Sequence, residues 1–204
     1  CIEEPYKSRN YTEKMLKKCG VEISSRISKK FTNTIKIKGK DYLKNSNFLI
    51  PGDPSSAIFI VVAALIMKGS KVKVINVLND NMRLRVFKIL KKMGGKIKIN
   101  KISSDKCEIF AEYSHLNNIH LNKNDSTALI DEFPILSIAA ACGQGKMVMR
   151  GLGELRFKES DRYAAISEGL KKCGVEVKTY NNDMEILGSK KIIGDSIIYS
   201  KNDH

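Results

Sequence analysis

Tryptophan is absent from this sequence, and aromatic residues make up only 7% of it. Basic and aromatic side chains do not interleave in the way that single-stranded bases need for stacking. Cysteine is sparse and scattered, at positions 1, 19, 107, 142 and 173, with no CxxC pair. An odd, dispersed set argues against a disulfide framework or a zinc site and points to a reducing compartment, so the cytoplasm is expected. Three separated histidines (115, 120 and 204) add no metal-ligand cluster. No apolar run approaches the roughly 18 residues of a membrane span. The longest, FIVVAALIM at 59–67, reads as a buried helix. No N-terminal leader pattern is visible, and the first residue is Cys1 rather than Met. That start fits a processed N-terminus or an internal piece of a longer chain.

What is present is ordinary for a globular protein. Its 204 residues are 42% hydrophobic and 28% charged, enough for one domain or two small ones with a full core. The formal net charge is +14, a balance that favours anionic partners. Of the 36 basic residues, however, 29 are Lys and only 7 are Arg. Lys, Ile and Asn are all abundant, as AT-rich coding produces without selection for charge. The charge is therefore not read as nucleic-acid binding.

The strongest internal signal is a repeat. MLKKCGVEI (15–23), ILKKMGGKIKI (89–99) and GLKKCGVEV (169–177) share Leu-Lys-Lys-x-Gly followed by apolar alternation, with the leucines at 16, 90 and 170. Each reads as a helix end. Two lysines sit where the helix dipole favours cations, glycine follows at the left-handed C′ position, and a strand begins. Small buried thiols suit Cys19 and Cys173 beside those glycines. In the third copy Tyr163, Ile166, Leu170 and Cys173 share one helix face; in the second Val86, Leu90 and Met93 do. Both stripes are read as core.

A second pair of segments, SSAIFIVVAALIMKGSKVKVINV (55–77) and DEFPILSIAAACGQGKMVMRGL (131–152), runs polar start, apolar helix, glycine turn, strand. Further strands are expected at TNTIKIKG (32–39) and CEIFAEY (107–113). The unit is about 75 residues long, which suits a globular α/β assembly better than a solenoid. NSNFLIPGDPSS (45–56), with Pro51, Gly52 and Pro54, is the best linker.

SRNYTEKMLKKCGVEI, PGDPSSAIF, LIDEFPILSIAAA and LGELRFKESDRYAAISEGLKKCGVEV, in that order, resemble the 5-enolpyruvylshikimate-3-phosphate synthase family across nearly the whole chain. The UDP-N-acetylglucosamine enolpyruvyl transferases resemble these motifs less. The resemblance implies an α/β fold, an inside-out α/β barrel built of repeated βαβαββ units, here incomplete. Residues 1–50 would be the last unit of a central domain, and 51–204 two units of a second domain truncated at its C-terminus. The family's N-terminal Lys-Ser, Arg-bearing and Ser-Ser-Gln motifs would precede Cys1, and an Arg is expected just beyond Asp203-His204.

The implied reaction moves the enolpyruvyl group of phosphoenolpyruvate onto the 5-hydroxyl of shikimate 3-phosphate through a tetrahedral intermediate, releasing phosphate. It needs a base, an acid and several cations. By resemblance Asp131 is the base and touches shikimate hydroxyls, Lys158 bridges both substrates, and Glu159 is the acid. Arg162 grips the phosphoenolpyruvate carboxylate with its planar fork, and Arg9 contacts shikimate 3-phosphate.

Structural roles compete at each position. Asp131 suits a helix N-cap, KESDR suits a solvated helix start laced with ion pairs, and Arg9 suits an exposed first turn. Asp161 suits support of the helix start, and Ser55 or Ser56 a cap. Backbone N–H groups of the helix ending at Lys172 would face the anions. Pro54 departs from the small apolar residue usual in the family. No cofactor or metal is expected, nor any nucleic-acid or membrane partner, and the whole enzyme would be a monomer in the cytoplasm. These residues alone are expected to be inactive. A non-catalytic anion- or nucleic-acid-binding module of the same fold is the alternative, and a steep salt dependence of DNA binding would distinguish it.

Overall fold

The computed structural model describes residues 1–5, 9–28, 32–122, 125, 129–189 and 191–203; Ser8 of the first motif and His204 lie outside them. The chain divides into two compact units, Cys1–Ile50 and Pro51–His204. The boundary falls inside the Pro- and Gly-bearing linker.

The first unit contains β1 (Ile2–Glu4), α1 (Tyr11–Lys18), β2 (Ile23–Ile27) and β3 (Asn33–Ile37). Its sheet has the order β1-β3-β2, with both pairings antiparallel. Val21, Asn33 and Ile35 are its buried residues among those described. The Asn33 amide donates to Glu4 Oε2 at 2.9 Å and so ties β1 to β3 at one end of their ladder.

The second unit holds two copies of one topology. The first copy contains α2 (Pro54–Ile66), β4 (Lys71–Leu78), α3 (Arg85–Lys92), β5 (Lys96–Lys101) and β6 (Lys106–Glu112), with sheet order β4-β6-β5. Gly52 forms a parallel bridge to Val77 and so occupies the position of a leading strand. The second copy contains β7 (His120–Leu121), α4 (Phe133–Ala141), β8 (Lys146–Met149), α5 (Arg162–Lys172), β9 (Val177–Tyr180) and β10 (Asp183–Leu187). Its order is β7-β8-β10-β9, with β7 parallel to β8 and the rest antiparallel. Each copy is thus βαβαββ, and the first unit has the last four elements, βαββ, of the same pattern. The second unit thus has the fold of an incomplete inside-out α/β barrel, with α2 and α4 packed inside against the strands.

The interior follows from the two least polar helices. In α2, Ile58, Val61, Val62 and Leu65 are fully buried; in α4, Phe133, Leu136, Ala139 and Ala140 are. The two helices pack on each other, α2 covering β4 and β6 and α4 covering β10. One hydrophobic cluster then runs from Ala57 to Ile186, each large side chain in it contributing about 1.5–3 kcal/mol of burial. FIVVAALIM is helical through Ile66, with Met67 at the C-cap, but it is not wholly buried: Phe59 and Ile60 remain 52% and 55% exposed and Met67 60%.

The three repeat glycines behave alike. Gly20, Gly94 and Gly174 follow α1, α3 and α5 with φ of 86°, 94° and 77°, a region where a Cβ crowds the backbone. Lys17 and Lys18, Lys91 and Lys92, and Lys171 and Lys172 occupy the last turns. Cys19 and Cys173 are half-buried rather than buried, because each helix end lies at the rim of its layer. The start of α2 also differs from expectation. Its cap is Asp53, whose carboxylate accepts from the Ser55 N–H at 3.1 Å, while Ser55 already lies inside the helix. Pro54 stands at the first position, where a missing N–H costs nothing.

Gly174→Ala is expected to lower stability by about 1–2 kcal/mol in urea unfolding, from its left-handed backbone. A new Cβ would also meet Ile193 Cδ1 at 2.7 Å. Gly194→Ala, where a Cβ meets nothing within 4 Å, is the control and should change the midpoint little. Thiol labelling of the native chain should reach exposed Cys1 first and Cys107 last, since burial both shields the Cys107 thiol and pushes its pKa up.

Candidate active site

The candidate residues of the second unit converge at the start of α5. The loop before it is fixed at both ends. On entry, the Leu152 N–H donates to the Asn182 carbonyl at 2.6 Å, and the Gly151 N–H to Asp183 Oδ1 at 2.9 Å. Both acceptors belong to the β9–β10 hairpin. A 3-10 helix, Gly153–Phe157, then buries Leu155. Arg156 reinforces the same attachment by donating to the Asn181 carbonyl at 2.8 Å and stacking over the Tyr163 ring, 4.0 Å from its centroid. On exit, Asp161 caps α5 by accepting the Ala164 N–H at 2.9 Å. Lys158, Glu159 and Ser160 therefore occupy a short bend between two anchored helices and lie outside the helix proper. Arg162 is the first residue of α5.

Asp131 comes from the turn before α4. The cap position of that helix belongs to Glu132, whose side chain makes no capping bond, so the expectation that Asp131 caps α4 is corrected. Glu132 is turned inward and only 3% exposed, and it accepts a short hydrogen bond from Ser55 Oγ in the first turn of α2. This buried tie between the two central helices leaves the Asp131 carboxylate facing α5. Pro134, at the second helical position, is compatible with that tight entry.

The side chains meet as an ion cluster. Lys158 Nζ donates to Asp131 Oδ1 at 3.0 Å. Arg162 Nη1 lies 3.9 Å from the same oxygen, and its Nη2 is 2.8 Å from Glu159 Oε2. Asp203, absent from the expected set, takes the other side of the guanidinium. Its Oδ2 accepts from Nε at 2.9 Å and its Oδ1 from Nη2 at 2.8 Å. Ser160 Oγ donates to Oδ2 at 2.7 Å. Arg162 and Asp203 are 14% and 12% exposed, whereas Glu159 is 50% exposed. The Arg162 pKa is raised further above its already high range, chiefly by the Asp203 hydrogen bond; burial opposes, while the charges of Asp203, Glu159 and Asp131 add to the rise. A raised arginine pKa removes stabilisation only above the alkaline range where free arginine titrates, so the charge of this residue is fixed at any working pH.

Asp131, Lys158, Glu159 and Arg162 thus form one patch that joins a cation-flanked carboxylate to a second, solvent-accessible carboxylate and a guanidinium. Such a patch can exchange protons with a bound group, and can meet an anion through its guanidinium where that anion displaces a carboxylate. Arg9 is exposed two residues before α1 in the first unit. Among the described residues no three His, Cys, Asp or Glu side chains are arranged to hold a metal ion, and no helix is long and apolar enough to cross a membrane. A shallow depression elsewhere, on the outer face of β4-β6-β5, is ringed by Lys71, Lys73, Lys96 and Lys98 around Phe110. Glu112 and Glu108 pair with three of those lysines, as on any solvated sheet face.

Sequence reasoning missed Asp203, Ser160 and Glu132. Asp203 entered the sequence reading only as the neighbour of an expected Arg, and nothing in its spacing joins it to Arg162, 41 residues away. An acidic residue beside Asp131 gave no sign of turning inward.

A sequence model of EPSP synthase (3-phosphoshikimate 1-carboxyvinyltransferase) matches residues 2–204. The 3-phosphoshikimate 1-carboxyvinyltransferase of Zymomonas mobilis is 40% identical over 92% of this chain and 42% of its own length. That of Caldicellulosiruptor bescii is 38% identical over 100% of this chain and 47% of its own. The solved EPSP synthase of Acinetobacter baumannii superposes with a TM-score of 0.78 at 34% identity, covering 94% of this chain and 43% of that one. The enolpyruvyl transferase NikO of Streptomyces tendae, at 16% identity and a TM-score of 0.60 over 90% of this chain, shares the fold. The chain spans about half the length of the curated relatives it matches or somewhat less. With its motifs, its repeated topology and its sequence in agreement, the chain belongs to the EPSP synthase family.

Proposed function

We propose that these residues furnish one wall of the active site of a 3-phosphoshikimate 1-carboxyvinyltransferase, which joins phosphoenolpyruvate to the 5-hydroxyl of shikimate 3-phosphate and expels phosphate. The observation that carries this reading is the convergence of Asp131, Lys158, Glu159 and Arg162 on one patch in a chain of this family. In the reaction the hydroxyl oxygen bonds to C2 of phosphoenolpyruvate as its proton leaves for a base, and C3 takes up a proton from an acid. Loss of phosphate and of a C3 proton then restores the double bond. Asp131 is assigned as base, Glu159 as acid at C3, Lys158 as the bridge between the substrates, and Arg162 as the carboxylate clamp. Arg9 and the first unit are assigned to the shikimate 3-phosphate side, with residues 1–50 as the last unit of a central domain and 51–204 as two units of the second. We place the whole enzyme in the cytoplasm as a monomer.

Charge decides what this wall does alone. Three carboxylates (Asp131, Glu159 and Asp203) face two cations (Lys158 and Arg162), so the cluster has no positive charge to spare for two polyanionic substrates. Apart from Arg9, the remaining cations must come from parts of the relatives that this chain does not span.

The isolated 204 residues should therefore release no phosphate from the two substrates above background in a coupled phosphate assay; clear turnover would refute this division of labour. In a hybrid with these residues replacing their counterpart in the Acinetobacter baumannii enzyme, Glu159→Gln should lower kcat by about 100-fold, the lower end for a general acid, with KM for either substrate within threefold. Arg162→Lys in the same hybrid should raise KM for phosphoenolpyruvate by roughly tenfold, because a point charge cannot reproduce the bidentate fork. If Glu159→Gln retains kcat, the assignment of the acid is wrong.

A further inference from the structure

Arg162 is held in a way that its assigned role does not require. A guanidinium can receive a carboxylate on its Nε/Nη2 side or across its Nη1/Nη2 end. Here the side is fully taken by Asp203, which accepts from Nε at 2.9 Å and from Nη2 at 2.8 Å. Asp203 is itself fixed by Ser160 Oγ at 2.7 Å, and its carboxylate is 12% exposed. The Nη1/Nη2 end is directed toward Asp131 and Glu159, at 3.9 Å and 2.8 Å. The more buried partner, with two hydrogen bonds, thus occupies the side, and the half-exposed Glu159, with a single contact of 2.8 Å, covers the end.

We infer that Asp203 is the positioning residue of the carboxylate clamp: it locks the Arg162 side chain by its Nε/Nη2 side, so that only the Nη1/Nη2 end is offered to the incoming carboxylate, which displaces Glu159 from it. This rests on the functional reading above for the identity of the ligand, phosphoenolpyruvate, but not for the clamp itself. A guanidinium immobilised beforehand loses less side-chain freedom on binding. The effect belongs in substrate affinity and not in the chemical step, because Asp203 meets Arg162 from the side away from the ligand.

Two measurements separate the clamp from the reading. In the 204-residue chain, the Arg162 Nε–H signal in nitrogen-15 NMR should exchange slowly with water. Asp203→Asn, which puts an amide donor where an acceptor is needed, should speed that exchange at least tenfold, and Asp203→Glu, which keeps both acceptors, should restore part of the protection. An unchanged exchange rate in Asp203→Asn overturns the clamp. In the hybrid enzyme, Asp203→Asn should raise KM for phosphoenolpyruvate about tenfold, with KM for shikimate 3-phosphate and kcat within threefold, and Asp203→Glu should recover part of the loss. A fall in kcat with KM intact would make Asp203 part of the chemistry and overturn the positioning role. If the unsubstituted hybrid has no turnover, the functional reading fails, and the exchange measurement still decides the clamp.

Discussion

One guanidinium holds the candidate site together. Arg162 touches the bend before its own helix through Glu159, the turn before α4 through Asp131, and the C-terminal stretch through Asp203. Three segments far apart in sequence are thereby brought to one point. A partly buried cation is tolerable only when its donors are met by acceptors, and each of these carboxylates meets a donor in return. Their arrangement is therefore mutual: removing the central charge would leave like charges facing one another. The rest of the second unit can be viewed as the scaffold that delivers these groups. The β9–β10 hairpin grips the loop, Asp161 starts the helix, and the buried Glu132–Ser55 bond sets the turn that bears Asp131.

The two helices that meet through Glu132 and Ser55 are also the two most apolar of the fold. That is a consistent design in physical terms. A polar contact inside a hydrophobic layer is expensive to leave unmet, so it fixes the rotation and height of one helix against the other more sharply than dispersion contacts do. Here that fixed relation sets the turn that carries the assigned base, Asp131, beside the buried Glu132.

Much of this was legible in the residues. Leu-Lys-Lys-x-Gly marked three helix ends, because cations in the last turn and a glycine with positive φ are local requirements that a sequence states directly. The KESDR and IDEFPIL motifs marked the patch, although periodicity alone would have made them a solvated helix start and a cap. What escaped was non-local. Asp53, and neither Ser55 nor Ser56, caps α2, since a cap depends on where the backbone turns, and Pro54 already stands at the first helical position. Asp131 faces α5 instead of capping α4, and Glu132 beside it turns inward, because the direction of a side chain in a turn is set by its neighbours in space. The partnership of Arg162 with Asp203 spans 41 residues and has no periodic trace.

The helices that close the three copies are unequal. Those at Tyr11–Lys18 and Arg85–Lys92 have 8 residues, while Arg162–Lys172 has 11. All three finish on the same Leu-Lys-Lys-x-Gly, so the surplus of nearly one turn lies at the front. The patch is built around that added turn. The lengthened end adds Arg162 where backbone N–H groups already attract anions, while the other end keeps the cap that all three copies share. A fold of this kind can acquire a new activity in one copy without disturbing the joints that all copies share.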